Sequence, residues 1–447
     1  MRIIVSTRHL ACLLGALFSA PSAFSADLLQ VYREALANDS QYQAARATAE
    51  AGREKLPQGL AGLLPTFSGT ANTTRNHNTY DYRTAQPQKI DRDYNSHGWN
   101  LNLTQPLFRW QNIVQYGQAR LQVAQAEANF AQASQELILR AAQAYFDVLN
   151  AQESLAAVRA NKQAITQQLE LAKKSFEVGT VTITDAHEAQ SRYDLASAQE
   201  IAAENDLEVK RYALRVIVGK DPGALNRLKA RPVLTPPQPA NMDKWVEAAE
   251  KDSFVVQAQE AAAEVAAREI ERNRAGHYPT VDVVANYGKN VTIPSATTTG
   301  SLESTPRNIA LQLNVPIFQG GLVNSRTREA VANREAARAG LDSARRTAVL
   351  NARQSYLGVV NGLAQVRALE AALISSTSAL ESNKLGYEVG VRINIDVLNA
   401  ENQVHVTQRD LAKARFDTLM AQLKLKAAVG ALSETDLEQI NPLFELP

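Results

Sequence analysis

The longest regular pattern in the chain is a run of helix-forming residues, 112–178, in which apolar side chains recur every three, four or seven positions. The run contains no proline and a single glycine, Gly117. A narrow apolar stripe with Gln, Glu and Arg between its members is typical of a coiled coil. As one α-helix the run would be about 100 Å long. Because so long a helix cannot be buried within one domain, we expect other long helices beside it.

A return helix follows at once. After Gly179 a short Thr/Val/Ile stretch ends at Asp185, and a second helical run without Gly or Pro continues to Val218. The pattern predicts a helix, a tight tip and a helix that runs back.

Strand patterns occur in pairs. Apolar and polar residues alternate in 99–103 and 309–315, and these runs are followed by Pro106 and Pro316; an upstream partner of each begins after Pro65 or Pro279. We therefore predict two β-hairpins whose strands are joined by long polar loops, 76–97 and 289–307. The alternating positions are Trp99, Leu101, Leu103, Ile309, Leu311, Leu313 and Val315, with Phe67, Gly69, Ala71, Val281, Val283, Ala285 and Tyr287 in the partners.

The two halves of the chain repeat one another. Residue numbers differ by 211 between the paired landmarks Tyr145 and Tyr356, Gly179 and Gly390, and Gly219 and Gly430. Such a period indicates an internal duplication. We predict a first repeat at 26–220, a proline-rich connector at 221–241, a second repeat at 242–430 and a tail at 431–447.

The first 25 residues have the pattern of a cleaved secretory signal peptide. Arg2 and Arg8 precede a short apolar run, and small residues follow it up to Ser25. Cleavage after Ser25 is our first expectation, with cleavage after Ala26 as the alternative. The only cysteine, Cys12, lies within this segment, so we expect neither a disulfide nor a lipid anchor in the exported protein.

The net charge and the sequence motifs argue against several classes of protein. The formal net charge of +1 gives no sign of a nucleic-acid surface. His187 begins an HEAQS segment that lacks the second histidine of a zinc protease helix, and no phosphate-binding loop or nucleophile elbow is present. We expect no enzyme, no catalytic residues, no metal and no cofactor.

The strand count indicates how a membrane would be crossed. Four strands cannot close a membrane barrel, because such barrels have about eight or more and an open edge leaves backbone groups unpaired in lipid. Two chains would form a small barrel filled by side chains, whereas three would supply about a dozen strands and room for a lumen. An ordinary soluble sheet is the alternative.

These residues resemble a known family. The strand borders (Pro65 with Phe67, PLF at 106–108 and PIF at 316–318), the FEVGTVTITD tip and above all GYEVGVRINIDVLNA at 386–400 are similar to the TolC family of outer-membrane efflux and secretion ducts. The resemblance implies an α+β membrane protein. Its homotrimer would combine a twelve-stranded outer-membrane β-barrel with a twelve-helix coiled-coil tunnel in the periplasm. It would serve tripartite drug efflux and type I secretion, with a periplasmic adaptor and an inner-membrane pump or ABC transporter as partners.

The resemblance also implies a gate at the periplasmic end. Asp396 takes the acidic constriction position, and Tyr387 and Arg392 take positions whose hydrogen bonds and salt links join neighbouring helix pairs. Asn399 stands where other members carry a second Asp. A trimer would then present three carboxylates instead of six, so we expect weaker cation binding at the mouth.

The first tip has its own candidates. Thr184 and Asp185 occupy the position that matches the gate residues of the second tip. Asp185 followed by Glu188 also has the spacing of a helix capping box, which we expect to be its main role. Asn394 is likewise a competing cap at the second tip. In the family the turns of both tips meet the adaptor, and the corresponding residues are Val178, Gly179, Thr180, Val389, Gly390 and Val391.

Two other protein classes fit parts of the pattern. A periplasmic adaptor also combines a coiled-coil hairpin with β-structure, but it would not need two equal copies or hairpins with polar loops. A free coiled-coil structural protein of the envelope would not need apolar stripes in its strands.

Overall fold

The computed structural model describes residues 26–83, 85–292 and 300–446. The predicted signal peptide, with Cys12, lies outside the described residues, as does the middle of the second hairpin loop. Within these ranges the α-helices, in chain order, are α1 (Leu28–Asn38), α2 (Ser40–Arg53), α3 (Lys55–Ala61), α4 (Trp110–Glu177), α5 (Ile183–Val218), α6 (Met242–Asp252), α7 (Phe254–Arg274), α8 (Leu322–Glu388), α9 (Asn394–Ala428) and α10 (Glu434–Ile440). The strands are β1 (Thr66–Tyr82), β2 (Gln88–Phe108), β3 (Arg227–Leu228), β4 (Thr280–Thr292), β5 (Leu302–Ser304), β6 (Arg307–Asn314) and β7 (Phe444–Glu445).

Four long helices dominate the molecule. Helices α4 and α8 contain 68 and 67 residues, and the return helices α5 and α9 contain 36 and 35. Helix α5 packs on α4, α9 packs on α8, and α4 also packs on α9. The predicted long helix is confirmed, with bounds that differ by one or two residues. Its apolar stripe is the part that it buries, as at Leu137, Tyr145 and Ile165.

The largest core lies where α4 meets the connector and the tail. The Phe146 ring stacks on Phe416 of α9 and on Phe444 of the tail, at centroid distances of 5.7 and 6.0 Å. The Tyr145 hydroxyl donates a hydrogen bond to the Asn226 carbonyl oxygen at 3.0 Å, and β3 of the connector pairs with β7 of the tail. The proline-rich connector is therefore packed against the helices.

Apart from β3 and β7, the described strands form one antiparallel sheet in the order β1, β2, β4, with β5 and β6 both paired to the far side of β4. The prediction of a long loop at 76–97 is wrong, because β1 pairs with β2 continuously from Thr66 and Thr104 to Tyr82 and Gln88. The loop predicted at 289–307 is also wrong in part, since β4 continues to Thr292 and β5 pairs with it. These extensions have no apolar stripe, and that absence made them resemble loops.

The register gives the sheet two different faces. One row of paired residues crosses β1, β2, β4 and β6, and its members, Phe67, Leu103, Ala285 and Ile309, therefore share one face. Trp99 and Tyr287 of the same face meet edge to face at 5.4 Å. The next row, on the opposite face, is Ser68, Asn102, Asn286 and Asn308. All the predicted apolar runs therefore lie on one side, where they are largely exposed in the single chain.

A bidentate ion pair connects the sheet to the helices. Arg109, just before α4, donates from Nε and Nη2 to the two carboxylate oxygens of Asp282 on β4, at 2.8 and 2.7 Å. The Asp282 side chain is buried, so the pair holds the start of the longest helix against a strand of the other half of the chain.

One described helix, α8, is long and apolar enough to cross a membrane, with a window of mean hydropathy 1.3. A single such helix is weak support for a span. Only 11% of that window is buried within the chain, so α8 carries an apolar surface that its own chain leaves uncovered.

Candidate functional site at the two helical tips

The first tip ends α4 with a glycine in the left-handed conformation. Gly179 has φ of 75°; its N–H donates to the Phe176 carbonyl at 2.9 Å, and the Thr180 N–H donates to the Ser175 carbonyl at 2.8 Å. These two bonds form a Schellman motif, which satisfies carbonyl groups at the helix end. Glycine is favoured here because positive φ costs a side-chain-bearing residue about 1–2 kcal/mol.

The second tip ends α8 in the same way. Gly390 has φ of 78°; its N–H donates to the Tyr387 carbonyl at 3.1 Å, and the Val391 N–H donates to the Gly386 carbonyl at 2.9 Å. The residues predicted for docking lie at these turns and are all exposed. Val178, Val389 and Val391 expose 75%, 65% and 75% of their surface. Each tip thus presents apolar side chains and bare backbone to solvent.

The return helices begin differently. At α5 the Thr182 hydroxyl accepts from the Asp185 N–H at 3.4 Å, and the Asp185 carboxylate accepts from the Thr182 N–H at 3.0 Å. This is a reciprocal capping box. The prediction that Asp185 caps the helix with Glu188 is wrong in its partner, because Thr182 has the extended backbone of the N-cap and Asp185 is already the third helical residue. Thr184 lies exposed beside Asp185.

Helix α9 begins without a side-chain cap. Ile393 occupies the N-cap position, and its side chain cannot accept a hydrogen bond. The prediction of Asn394 as a competing cap is wrong, because Asn394 is the first helical residue and its buried Oδ1 has no hydrogen-bond partner among the described residues. The Asp396 carboxylate is therefore not used by a cap and lies 3.7 Å from Arg392 Nη1.

Arg392 is positioned by a buried glycine that the sequence analysis did not identify. A Cβ at Gly386 would lie 2.7 Å from Arg392 Cγ, so only glycine lets the arginine chain fold down onto α8. The Arg392 N–H also donates to the Gly386 carbonyl at 3.0 Å. A glycine two residues from the end of a long helix was the available signal. Within the described residues, the Tyr387 hydroxyl forms no hydrogen bond inside its own chain.

The second tip is seated on the first helix pair. Leu398 of α9 is buried against Ile165 of α4 and Ala196 of α5. Asp396 and Asn399 are three residues apart and lie on neighbouring positions of one helix face. Asp396 is half-buried and Asn399 is exposed, so the structure places the predicted gate residues of α9 together beside the buried seam.

The first helix pair is joined above its tip by charges. Arg159 contacts Glu200 at 3.0 Å and Glu204 at 2.6 Å, and Lys162 contacts Glu200 at 2.8 Å. Hydrogen bonds from Lys162 and then Arg159 lower the pKa of the Glu200 carboxyl. The network links α4 to α5 and holds their relative register.

No group of three or more His, Cys, Asp or Glu side chains in the described part of the chain could hold a metal ion. Both tips expose turn backbone and valine side chains, and the second tip also carries the pair of Arg392 and Asp396.

Comparison with known families gives one consistent result. The family model described as outer membrane efflux protein matches residues 31–220 and 245–431. These two segments lie almost entirely within the two predicted repeats and leave the connector unmatched.

Curated relatives match along nearly their whole length. The chain is 33% identical to the outer membrane protein TolC of Vibrio cholerae, over 96% of this chain and 95% of the relative. It is also 33% identical to the alkaline protease secretion protein AprF of Pseudomonas aeruginosa, over 98% of this chain and 92% of the relative.

Solved structures share the fold. The outer membrane protein VceC of Vibrio cholerae superimposes with a TM-score of 0.75 at 21% identity, covering 90% of this chain and 96% of VceC. The CmeC outer membrane channel of Campylobacter jejuni superimposes with a TM-score of 0.77 at 17% identity, covering 99% of this chain and 97% of CmeC.

Proposed function

This chain belongs to the outer membrane efflux protein family, and from that premise we propose that three copies of it form one continuous export duct gated at the helical tips. The chain is an outer-membrane protein that acts as the exit duct of efflux and secretion systems. The family consists of channel proteins and not of enzymes. Membership over both halves of the chain decides against an adaptor or a free coiled-coil protein.

The shape of the sheet supports the trimer. Among the described residues, one chain offers four strand positions, an exposed apolar face and unpaired edges at β1 and at β6. Pairing β1 of one copy with β6 of the next would satisfy both edges, and three copies would supply twelve strands with the apolar rows facing lipid. The polar row of asparagines would then line the lumen.

The helices support a tunnel built from repeats. The pair α4 and α5 has nearly the same lengths as the pair α8 and α9, and their tip glycines are 211 residues apart. In our proposal the chain is an internal duplication, and three copies contribute twelve helices to the tunnel wall. The uncovered apolar surface of α8 would pack on a neighbouring copy.

The second tip is the proposed gate, and one observation supports this assignment. Asp396, Arg392 and the Tyr387 hydroxyl keep hydrogen-bonding capacity that their own chain does not use. In a trimer these groups would bond across to the next helix pair and close the tunnel end. Asn399 contributes no charge, so the ring at the constriction would hold three carboxylates from Asp396.

The turns of both tips are the proposed docking surface for a periplasmic adaptor, which would connect the duct to an inner-membrane pump or ABC transporter. Exposed valines and left-handed glycines allow another helical hairpin to approach the backbone closely. Since AprF is named for the secretion of an alkaline protease, we include folded or unfolded protein among the cargo classes, beside small drugs.

The test of the trimer is the mass of the detergent-solubilised protein, before and after heating. We expect a trimer that dissociates only on heating, and a monomer that stays soluble without detergent would contradict the proposal.

The test of docking is Gly179→Leu and Gly390→Leu, examined by cross-linking to the adaptor. We expect loss of the adaptor contact with the trimer intact, whereas Thr184→Ala, outside the turns, should leave it unchanged.

A further inference from the structure

The β1–β2 hairpin extends far beyond the rest of the sheet. Strand β2 pairs with β4 only as far as His97 with Val291. Beyond that point β1 and β2 continue alone, from the pair Thr74 and Ser96 to the pair Tyr82 and Gln88. At about 3.4 Å per residue this two-stranded segment, which we call the ribbon, is about 30 Å long. It stands at the end of the sheet away from the helices.

The two faces of the ribbon carry different chemistry. The pairing continues without a register shift, so side chains alternate between the faces along the whole ribbon. One face, the aromatic face, contains three tyrosines, an isoleucine, two asparagines and one arginine: Asn76, Asn78, Tyr80, Tyr82, Ile90, Arg92 and Tyr94. The other face is charged and includes Arg75, His77, Asp81, Lys89, Asp91 and Asp93.

The aromatic face is ordered by its own hydrogen bonds. Asn78 Nδ2 donates to the hydroxyl oxygens of Tyr80 at 3.3 Å and of Tyr94 at 3.1 Å, and Asn76 Nδ2 donates to Ser96 Oγ at 2.9 Å. Most residues of this face are half-buried, whereas those of the charged face are exposed. Tyr80 and Tyr94 are thus held in place by hydrogen bonds to their hydroxyl groups, and their rings keep surface for another contact.

The alternation also fixes the direction of each face. Ser68, Thr70 and Asn72 of β1 share their side of the sheet with Tyr80 and the rest of the aromatic face. That side is the polar side, which faces the lumen in the proposed barrel. The charged face continues the apolar side, above the lipid. In the proposed barrel the tyrosines of each copy would therefore point toward the axis of the pore.

We infer that the ribbons of three copies lean together at the exit mouth, aromatic face against aromatic face, and form a second constriction at the end opposite the helical gate. This inference rests on the proposed trimer. A lone two-stranded ribbon is only marginally stable in water, and each tyrosine can bury about 150–250 Å². The guanidinium of Arg92 lies on the same face and can stack on a tyrosine ring of a neighbouring copy.

Adjacent residues on opposite faces give a matched test. In a Cys12→Ser background, which leaves the chain without cysteine, Tyr80→Cys and Thr79→Cys are each treated with a short bis-maleimide in the full-length, detergent-solubilised protein. We expect linked copies on a denaturing gel for Tyr80→Cys and loss of that band for Thr79→Cys. Tyr94→Cys against Asp93→Cys repeats the test on β2, in case one variant does not assemble.

Mass in detergent separates the two proposals. A trimer that gives no cross-link from the aromatic face, or equal cross-links from both faces, would overturn the constriction while the duct stands. A monomer in detergent would overturn the proposed duct itself, whatever the ribbon does.

Discussion

The two helical tips share a turn but differ in what they leave free. Both end the long helix with a Schellman glycine at the same place. At the first tip Thr182 and Asp185 satisfy each other in a capping box, and at the second tip Ile393 leaves Asp396 to an arginine. A tip whose polar groups bond to one another has few groups left for hydrogen bonds to a neighbouring copy. At the second tip no cap uses the Asp396 carboxylate, and for that reason we propose the second tip, and not the first, as the gate.

The same contrast appears just above the turns. Where the second tip has Tyr387, Gly386 and Arg392, the positions 211 residues earlier hold Phe176, Ser175 and Val181. The first tip thus lacks the hydroxyl, the arginine and the glycine on which the arginine rests. The first pair instead has the Arg159 and Lys162 network to Glu200, which lies within the pair.

The largest expected effect comes from removing the two polar groups of the second tip that have no counterpart at the first. Tyr387→Phe with Arg392→Ser removes the hydroxyl and the guanidinium that the first tip lacks, and each proposed hydrogen bond between copies that is lost would remove about 0.5–1.5 kcal/mol in every copy. Cells whose only duct carries both changes should become many-fold more sensitive to large hydrophilic antibiotics. The matched variant Val181→Ser should leave sensitivity unchanged. If it sensitised the cells equally, the proposal that only the second tip acts as the gate would be contradicted.

Removing the cap of the first tip should have a moderate, local effect. Thr182→Ala deletes one half of the capping box and should destabilise the start of α5 by about 1 kcal/mol. Amide hydrogen exchange in the first turn of α5 should accelerate accordingly. Ile393→Ala, at the corresponding position, removes no cap, so an equal acceleration at the start of α9 would contradict the assignment.

The comparison can also be reversed by building the missing cap. Ile393→Thr supplies a hydroxyl that can pair with Asp396, and we expect the start of α9 to gain about 0.5–1 kcal/mol. The carboxylate would then be drawn away from Arg392 and from the constriction. Slower hydrogen exchange in α9 together with weaker cation block is the predicted result. Stronger cation block would show that a hydrogen bond from residue 393 does not reduce the binding of cations by the Asp396 carboxylate.

The smallest effect concerns acid. The Glu200 carboxyl has a pKa below its usual 4.5 because Lys162 and Arg159 donate hydrogen bonds to it. A lowered pKa in the folded state means that the stabilisation is present above the usual value and is lost as the pH falls below it. We expect the thermal midpoint to fall slightly more between pH 5 and about pH 3 for the natural chain than for Glu200→Gln. If the thermal midpoints of the two proteins changed identically with pH, the ionised Glu200 carboxylate would make no contribution to stability.

Much of the fold could be predicted because its largest elements repeat a simple period. The apolar stripe of α4 and the glycine at each tip gave the helix pairs with bounds close to those of the structure. The ribbon was missed because Asn76, Tyr80 and Tyr94 lie on strands without an apolar face, and polar alternation resembles a loop. The signal peptide and the repeat boundaries stay predictions.

The site was only partly predictable. Asp185 was recognised as a capping residue, but its partner depends on which residue starts the helix, and helix ends are the least certain feature of a sequence pattern. The seat of Arg392 on Gly386 depends on how the chain turns back at Gly390, which the sequence does not specify. Contacts between copies lie outside any single chain, so the gate residues stay a proposal.

Single-channel conductance in a planar bilayer tests the central claim most directly. The purified trimer should show a small, cation-preferring conductance that rises several-fold with Tyr387→Phe and Arg392→Ser and does not change with Val181→Ser. A large conductance in the natural chain, or an equal rise with the first-tip variant, would contradict the claim that the second tip holds the duct closed.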